Sequence, residues 1–522
     1  MNKPAGTNKT ADASHTAGTS RAARVPRVRH NDYGILEPPA LGTWRPELTV
    51  SVVIPAHGRQ EDLERTVASL AAQTYPAELV EVVVADDGSE PPLDVPGARV
   101  VRVTDGWGRG AARETGRLAA TGDVVHWLDA DMVLAPAHLE AHMRWHHLID
   151  HAVVIGDTRF VDAPGEEGVQ SEYTRETLES TRMLKDAGAG AYLLHTGASS
   201  SVRADLLRAA GGVDAGLNMA EDTELGYRLA QAGAVFIPDP EARAEHVGPS
   251  TVMRREKDVH RHNWSYLGDL VPELRWLRAH PHRHWRVPYV RVVVPATTYE
   301  ETRGAVDAVL AGTPADTAVT ITGPWGELTD GRRDCLDEPL LDARLLTHLY
   351  RYEPRVRFAE DEPLSAAPTP FLLRLPAGWA PGADTLSRLV RLADADLLGL
   401  VCVALAESPR GVVAARLERT AAFARAARLN GADDDLVDEM FGSLWVSGAE
   451  YGFVPVAEAE SPAGDAARWR AVAAERLAAV KSLKAEVERL SAEVERLSAE
   501  AGAESGEQGR LTSLIRHLRS AG

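Results

Sequence analysis

The sequence predicts an α/β fold built on a mostly parallel sheet, and three observations predict it. Apolar strand-like runs alternate with stretches of helical spacing, joined by short connections, which is the pattern of βαβ units. Carboxylates stand just past the apolar cores of several strands, where such sheets bind ligands. The second half of the chain repeats the same outline.

Residues 1–30 are rich in Thr, Ala, Ser, Gly and Arg without period and read as a disordered arm. Residues 31–48, with Pro38, Pro39 and Pro46, read as an extended lead-in. LTVSVVIPA is the first strand, and EDLERTVASLAAQ a helix with Leu63, Val67 and Leu70 on one face. VEVVVADDGS and VVHWLDADMVL are further strands, each ending in acidic residues. The stretch from His138 to His151 is a predicted helix; its histidines keep no single ligand spacing, so they read as packing residues rather than a zinc site. Residues 161–190 read as loop plus helix. EDTELGYRLAQAG is a helix stopped by Gly233, and AVFIPDPEARAEHVG follows as strand and turn. Residues 249–288, with Trp264, Trp276 and Trp285, read as a linking region.

RVVVPATTYEETRGAVDAVLAG echoes the first strand and helix, TITGPWG echoes VVVADDG, and LPAGWAPGADTL echoes LDADMVLAPAHL, in the same order. Residues 289–470 are therefore expected to be a degenerate second copy. In it Asp86 and Asp87 map onto Pro324 and Trp325, and Asp129 and Asp131 onto Pro376 and Gly378, so the copy lacks every carboxylate assigned below to chemistry. Val480, Val487 and Val494, with Leu483, Leu490 and Leu497, repeat every seventh residue. This heptad predicts a coiled coil over 476–500 and a homodimer through it. Residues 510–520 form a short basic amphipathic segment suited to an acidic membrane surface or another subunit.

The composition, 44% hydrophobic and 25% charged, is that of a globular protein. Net charge is −19, and Lys3, Lys9, Arg21, Arg24, Arg27 and Arg29 crowd the first thirty residues, so the remainder is more acidic still. That disfavours a nucleic-acid partner. The two cysteines, Cys335 and Cys402, show no metal spacing, and Cys402 lies in an apolar strand. With no apolar leader and no run of spanning length, the expected location is cytoplasmic, with peripheral membrane attachment left open.

Asp129 and Asp131, two residues apart at a strand exit, can share one hard cation that bridges phosphates and stabilises a diphosphate leaving group. Asp86 and Asp87, before Gly88 and Ser89, suit hydrogen bonding to a base or ribose, or a capped turn. Arg113 on the next helix could neutralise phosphate or orient an aspartate, with Arg109 a looser candidate. Glu221 and Asp222 begin a helix, where a charged carboxylate is favoured and could take a proton from an attacking hydroxyl. His246 is a candidate third metal ligand.

VSVVIPAHGRQEDLERTVASLAAQTYP, EVVVADDGS, GRGAARETG, GDVVHWLDADMVLAP and MAEDTELGYRLAQAG together resemble the family 2 glycosyltransferases with the GT-A fold, over residues 48–248. The resemblance implies Pro55 and Asp87 beside the base, with Asp86 supporting that turn. It implies Asp131 as the principal ligand of Mn²⁺ or Mg²⁺, Asp129 near ribose and diphosphate, and His246 completing the metal site. Asp222 would be the general base, with Glu221 beside it near the acceptor. A nucleotide-sugar donor, UDP-linked by preference, a saccharide, lipid-linked or small-molecule acceptor, and inversion at the anomeric centre are implied likewise. Two positions depart from the family pattern: Glu114 stands where Asn is common, and Met132 where another acidic residue is frequent. Two other readings compete: a nucleotidyltransferase of sugar metabolism, although PAHGRQEDL lacks a Gly-rich basic loop, and a non-enzymatic dimeric scaffold.

Overall fold

In a computed structural model of the chain, the described residues are 26–280, 283–329, 336–429, 431 and 433–459, with 481, 484–485, 487–492 and 496. They fall into two units, the described residues of 26–271 with those of 420–442, and the described residues of 272–419 with those from 443 onward.

The first unit is built on β1 (Val50–Ala56), β2 (Val80–Asp86), β3 (Arg99–Arg102), β4 (Val124–Leu128), β5 (Met132–Leu134), β6 (Ala152–Val161), β7 (Ser199–Arg203) and β8 (Val235–Val247). They form one sheet in the order β3-β2-β1-β4-β7-β6-β8-β5. β3, β2, β1 and β4 run parallel, β7 is antiparallel to β4 and β6, and β5 is antiparallel to β8. β4 is buried throughout, as a central strand covered on both faces requires. Around the sheet lie α1 (Gln60–Ala71), α2 (Arg109–Ala119), α3 (His138–His146), α4 (Glu172–Ser180), α5 (Ala204–Ala209), α6 (Glu221–Gln231) and α7 (Thr251–Leu270). α1 buries Leu63, Val67 and Leu70, the face its spacing indicates. Every residue of α3 is buried.

The second unit holds β9 (Val290–Pro295), β10 (Thr317–Thr322), β11 (Val356–Ala359), β12 (Phe371–Arg374), β13 (Trp379–Ala380), β14 (Leu400–Ser408), β15 (Gly411–Arg419), β16 (Ser443–Ser447) and β17 (Val454–Pro455), with α8 (Tyr299–Ala311), α9 (Leu341–Tyr350) and α10 (Thr385–Ala395). Its main sheet runs β11-β10-β9-β12-β15-β14-β16. Strand for strand and direction for direction this repeats β3-β2-β1-β4-β7-β6-β8. The β13–β17 pair repeats β5 on β8. The echoes in the sequence are thus a second sheet domain of the same kind. Pairing registers align Val50 with Val290 and Val124 with Phe371. Pro376 and Gly378 then stand where the first unit has Asp129 and Asp131. The register of β10 on β9 places Gly323 and Pro324 at the positions of Asp86 and Asp87, one residue earlier than the echo suggests.

Three expected boundaries move. The arm expected over 1–30 is packed from residue 26 onward: Val28 is fully buried in a cluster with Tyr33, Leu36, Trp145 and Ile149. Asn31 fixes this segment by donating to the carbonyls of Leu184 and Phe236 and accepting from the Phe236 amide. Half of the linking region is α7, which belongs to the first unit. Two helices inside the expected second domain, α11 (Thr420–Arg428) and α12 (Asp434–Phe441), also belong to the first unit. Arg425 explains why: its buried guanidinium donates to the carbonyls of Gly233 at 2.9 Å, Ala234 at 2.8 Å, Val28 at 3.2 Å and His30. Of the coiled-coil segment 476–500 only a few residues are described, all helical; residues 1–25 and 510–520 lie outside the described residues. Among the described residues no helix is long and apolar enough to cross a membrane.

Candidate functional site

β4 ends at Leu128, and the turn Asp129–Asp131 leads into β5, whose Met132 pairs with His246 on β8. That register brings the third candidate ligand to the two aspartates. One ligand atom each of Asp129, Asp131 and His246 lies within 4.8 Å of the others. His246 Nδ1 sits 3.0 Å from the Gly248 carbonyl, which can only accept, so in the neutral ring Nδ1 carries the proton. The bare Nε2 then stands 3.5 Å from Asp131 Oδ1. A backbone acceptor fixing the tautomer in this way is the usual support of a metal-ligating imidazole. Two carboxylates and one imidazole fit a divalent cation, and the nitrogen suits Mn²⁺ better than Mg²⁺.

Arg113 reaches the same turn from α2. It is buried, donates to Asp129 Oδ1 at 2.8 Å, and pairs with Glu221. A Cβ on Gly197 would lie 2.1 Å from the guanidinium, so glycine there makes the close approach feasible. Burial opposes the charge on Arg113, but Glu221, Asp129 and Asp222 outweigh it and raise its pKa. Burial pushes the Glu221 carboxyl up to about 7, with Arg113 opposing and Asp222 assisting. Glu221, expected beside the acceptor, is 2% exposed and spends its carboxylate on Arg113. Asp222 is only partly buried, and the Gly197 amide lies 3.5 Å from its Oδ2. Both carboxylates sit in the first turn of α6, whose N-cap Ala220 offers no side-chain acceptor; negative charge there complements the helix end.

Asp86 and Asp87 divide their work. Asp86 is buried and accepts from the Ser89 amide at 2.8 Å and from Arg102 at 2.9 Å. Burial would raise its pKa, but the Ser89 bonds, the Leu93 amide and Arg102 hold it below the ordinary value. It shapes the turn. Asp87 is less buried; its Oδ2 accepts from the Gly108 amide at 2.8 Å, and its carbonyl faces His57 Nδ1 at 2.7 Å. Pro55, near the end of β1, pairs with Ala85 just before this turn.

Two participants had no role assigned from the sequence. Arg59, in the left-handed region at φ 55, opens α1 and donates to Asp131 Oδ2 at 2.8 Å. His195 is buried and sits 2.7 Å from the Asp222 carbonyl through Nδ1. The signal for Arg59 was its place after the first strand; His195 comes from a loop with no periodic pattern.

Residues 51–207 match the model of the glycosyl transferase family 2. The pre-mycofactocin glycosyltransferases of two Mycobacterium tuberculosis strains, CDC 1551 / Oshkosh and H37Rv, are each 32% identical over 209 residues, 38% of this chain. The matched segment spans 42% of those relatives' own length. Among solved structures, a mannosyltransferase from Pyrobaculum calidifontis in complex with GDP-Man and Mn²⁺ is 20% identical over 43% of this chain and 64% of its own, with a TM-score of 0.33. GalNAc-T7 with UDP, GalNAc and Mn²⁺ is 19% identical over 42% and 48%, with a TM-score of 0.31. At that distance neither structure bears on donor or acceptor here.

Proposed function

We propose that the first unit is a metal-dependent glycosyltransferase that moves a sugar from a nucleoside-diphosphate sugar to a hydroxyl acceptor. The observation that carries this reading is the convergence of Asp129, Asp131 and His246, tied through Arg113 to the helix end bearing Asp222. The match of residues 51–207 to family 2 supports it.

Asp131, Asp129 and His246 would hold Mn²⁺ or Mg²⁺, which supplies charge compensation for the diphosphate leaving group. Asp87 and Pro55 flank the pocket for the base, with a uracil nucleotide the first candidate, and Asp86 keeps that turn in shape. Asp222 accepts the proton of the attacking hydroxyl. Attack from the face opposite the leaving diphosphate inverts the anomeric centre. Glu221 positions Arg113, and Arg113 in turn fixes Asp129. The acceptor is a saccharide, a lipid-linked sugar or a small molecule. The second unit, lacking the carboxylates, serves support, acceptor binding or assembly, and the heptads over 476–500 pair two chains.

The test is nucleoside-diphosphate release by purified protein with Mn²⁺ or Mg²⁺ and a panel of nucleotide-sugars. Release from one donor, lost in Asp131→Asn, supports the reading. Release of pyrophosphate instead would replace it with nucleotidyl transfer. Absence of metal-dependent nucleotide binding by titration would overturn it.

A further inference from the structure

Behind the proposed active turn lies a second convergence of ligating atoms. His138 and His142, one turn apart on α3, face His126 on β4, and all three are fully buried. One nitrogen from each lies within 4.8 Å of the others. His138 Nε2 is 3.1 Å from His126 Nε2, and Ser199 Oγ on β7 is 3.4 Å from both His138 Nε2 and His142 Nε2. A tetrahedral zinc site with bonds of about 2.0–2.1 Å has ligand–ligand edges of roughly 3.3 Å. The far sides of two rings are already committed. His138 Nδ1 sits 3.0 Å from the Arg243 carbonyl, which can only accept, so in the neutral ring this nitrogen carries the proton and Nε2 is bare. His142 Nδ1 sits 2.9 Å from Ser201 Oγ, whose hydroxyl also meets His146 Nε2 at 2.8 Å. An outer acceptor that turns a bare nitrogen inward, as the Arg243 carbonyl does for His138, belongs to the second shell of a metal site. Gly156 leaves the room: a Cβ there would lie 2.2 Å from Ser199 Oγ and 3.1 Å from His142 Nε2.

The second unit supplies an internal control. By strand register, Leu373, Leu417 and Ala415 occupy the places of His126, Ser201 and Ser199. Counting on from Gly378, Thr385 and Leu389 occupy those of His138 and His142. All five are buried. The fold closes over apolar and small side chains at these positions, so packing does not call for the histidines.

We propose that His126, His138 and His142, with Ser199 Oγ as fourth ligand, bind one zinc-class divalent ion that pins α3 to the sheet. The bound Ser199 hydroxyl gives its proton to solvent, which halves the charge placed in the core. The site is independent of the proposed sugar transfer.

The experiment uses the full chain carrying Asp131→Asn, to weaken the other cation site, produced with added zinc and dialysed against a chelator. Metal analysis is expected to find one equivalent retained per chain, and protein produced with cobalt should show the strong visible absorption of tetrahedral Co²⁺. Adding His138→Gln and His142→Gln should abolish both signals and lower the melting temperature. The proposal is overturned if the folded Asp131→Asn chain holds less than about a tenth of an equivalent and no cobalt band appears. That result would leave a hydrogen-bonded His–Ser network, and it does not depend on whether the histidine variants fold.

Discussion

The Arg59 guanidinium and the Asp131 carboxylate meet at 2.8 Å, on the oxygen turned away from His246. A cation arriving at Asp131 therefore competes with a positive charge already there. Arg59 is about half exposed, so the pair is worth only about 0.5–1 kcal/mol. Arg59→Ala is expected to tighten Mn²⁺ binding about 2–5-fold without nucleotide, by isothermal titration. Asp131→Asn should weaken it by at least about tenfold. Unchanged affinity in both would remove Asp131 from the cation site.

Asp222→Asn should lower the rate of transfer by about 10²–10⁴-fold while donor binding stays intact, because the proton acceptor is lost and the shape is not. Parallel titration of donor and measurement of turnover separate the two. A loss confined to donor affinity would give Asp222 a binding role instead.

Glu221 gives a pH signature. Its folded-state pKa of about 7 lies above the ordinary 4.5, so the native state holds a proton there that the unfolded chain has released. Its contribution to stability is fully present below pH 4.5 and is lost as pH rises through 7. Glu221→Gln is expected to flatten the fall in melting temperature across that window, read by calorimetry at several pH values. An unaltered slope would place the titration elsewhere.

Arg425→Leu should destabilise the first unit by about 3 kcal/mol or more, since it strands several buried carbonyls. Urea unfolding followed by tryptophan fluorescence reads the change. Burial pulls the Arg425 pKa down to about 9.

What the sequence disclosed and what it hid follow from how far each signal reaches. β1, α1 and the Asp129–Asp131 turn announce themselves locally, by apolar period and by acidic residues at a strand end. The duplication was legible because three short echoes kept their order, and the identical strand order bears it out. The pairing of Glu221 with Arg113 was hidden because adjacency to Asp222 says nothing about which way each side chain turns. His126 lies twelve residues before His138, and only the return of α3 across β4 brings them together, so a search for ligand spacing along the chain missed the cluster. Val28 and Arg425 were hidden for the same reason, with nearly four hundred residues between them.

That last separation orders events in time. A ribosome delivers the carboxylates of the proposed site, and every strand that holds them, by residue 247. Arg425 is not yet made when the Val28, Gly233 and Ala234 carbonyls are in place. Between those moments the nascent chain carries a complete set of ligands on a scaffold still missing its last brace. Truncations ending at residue 271 would freeze the protein in that interval.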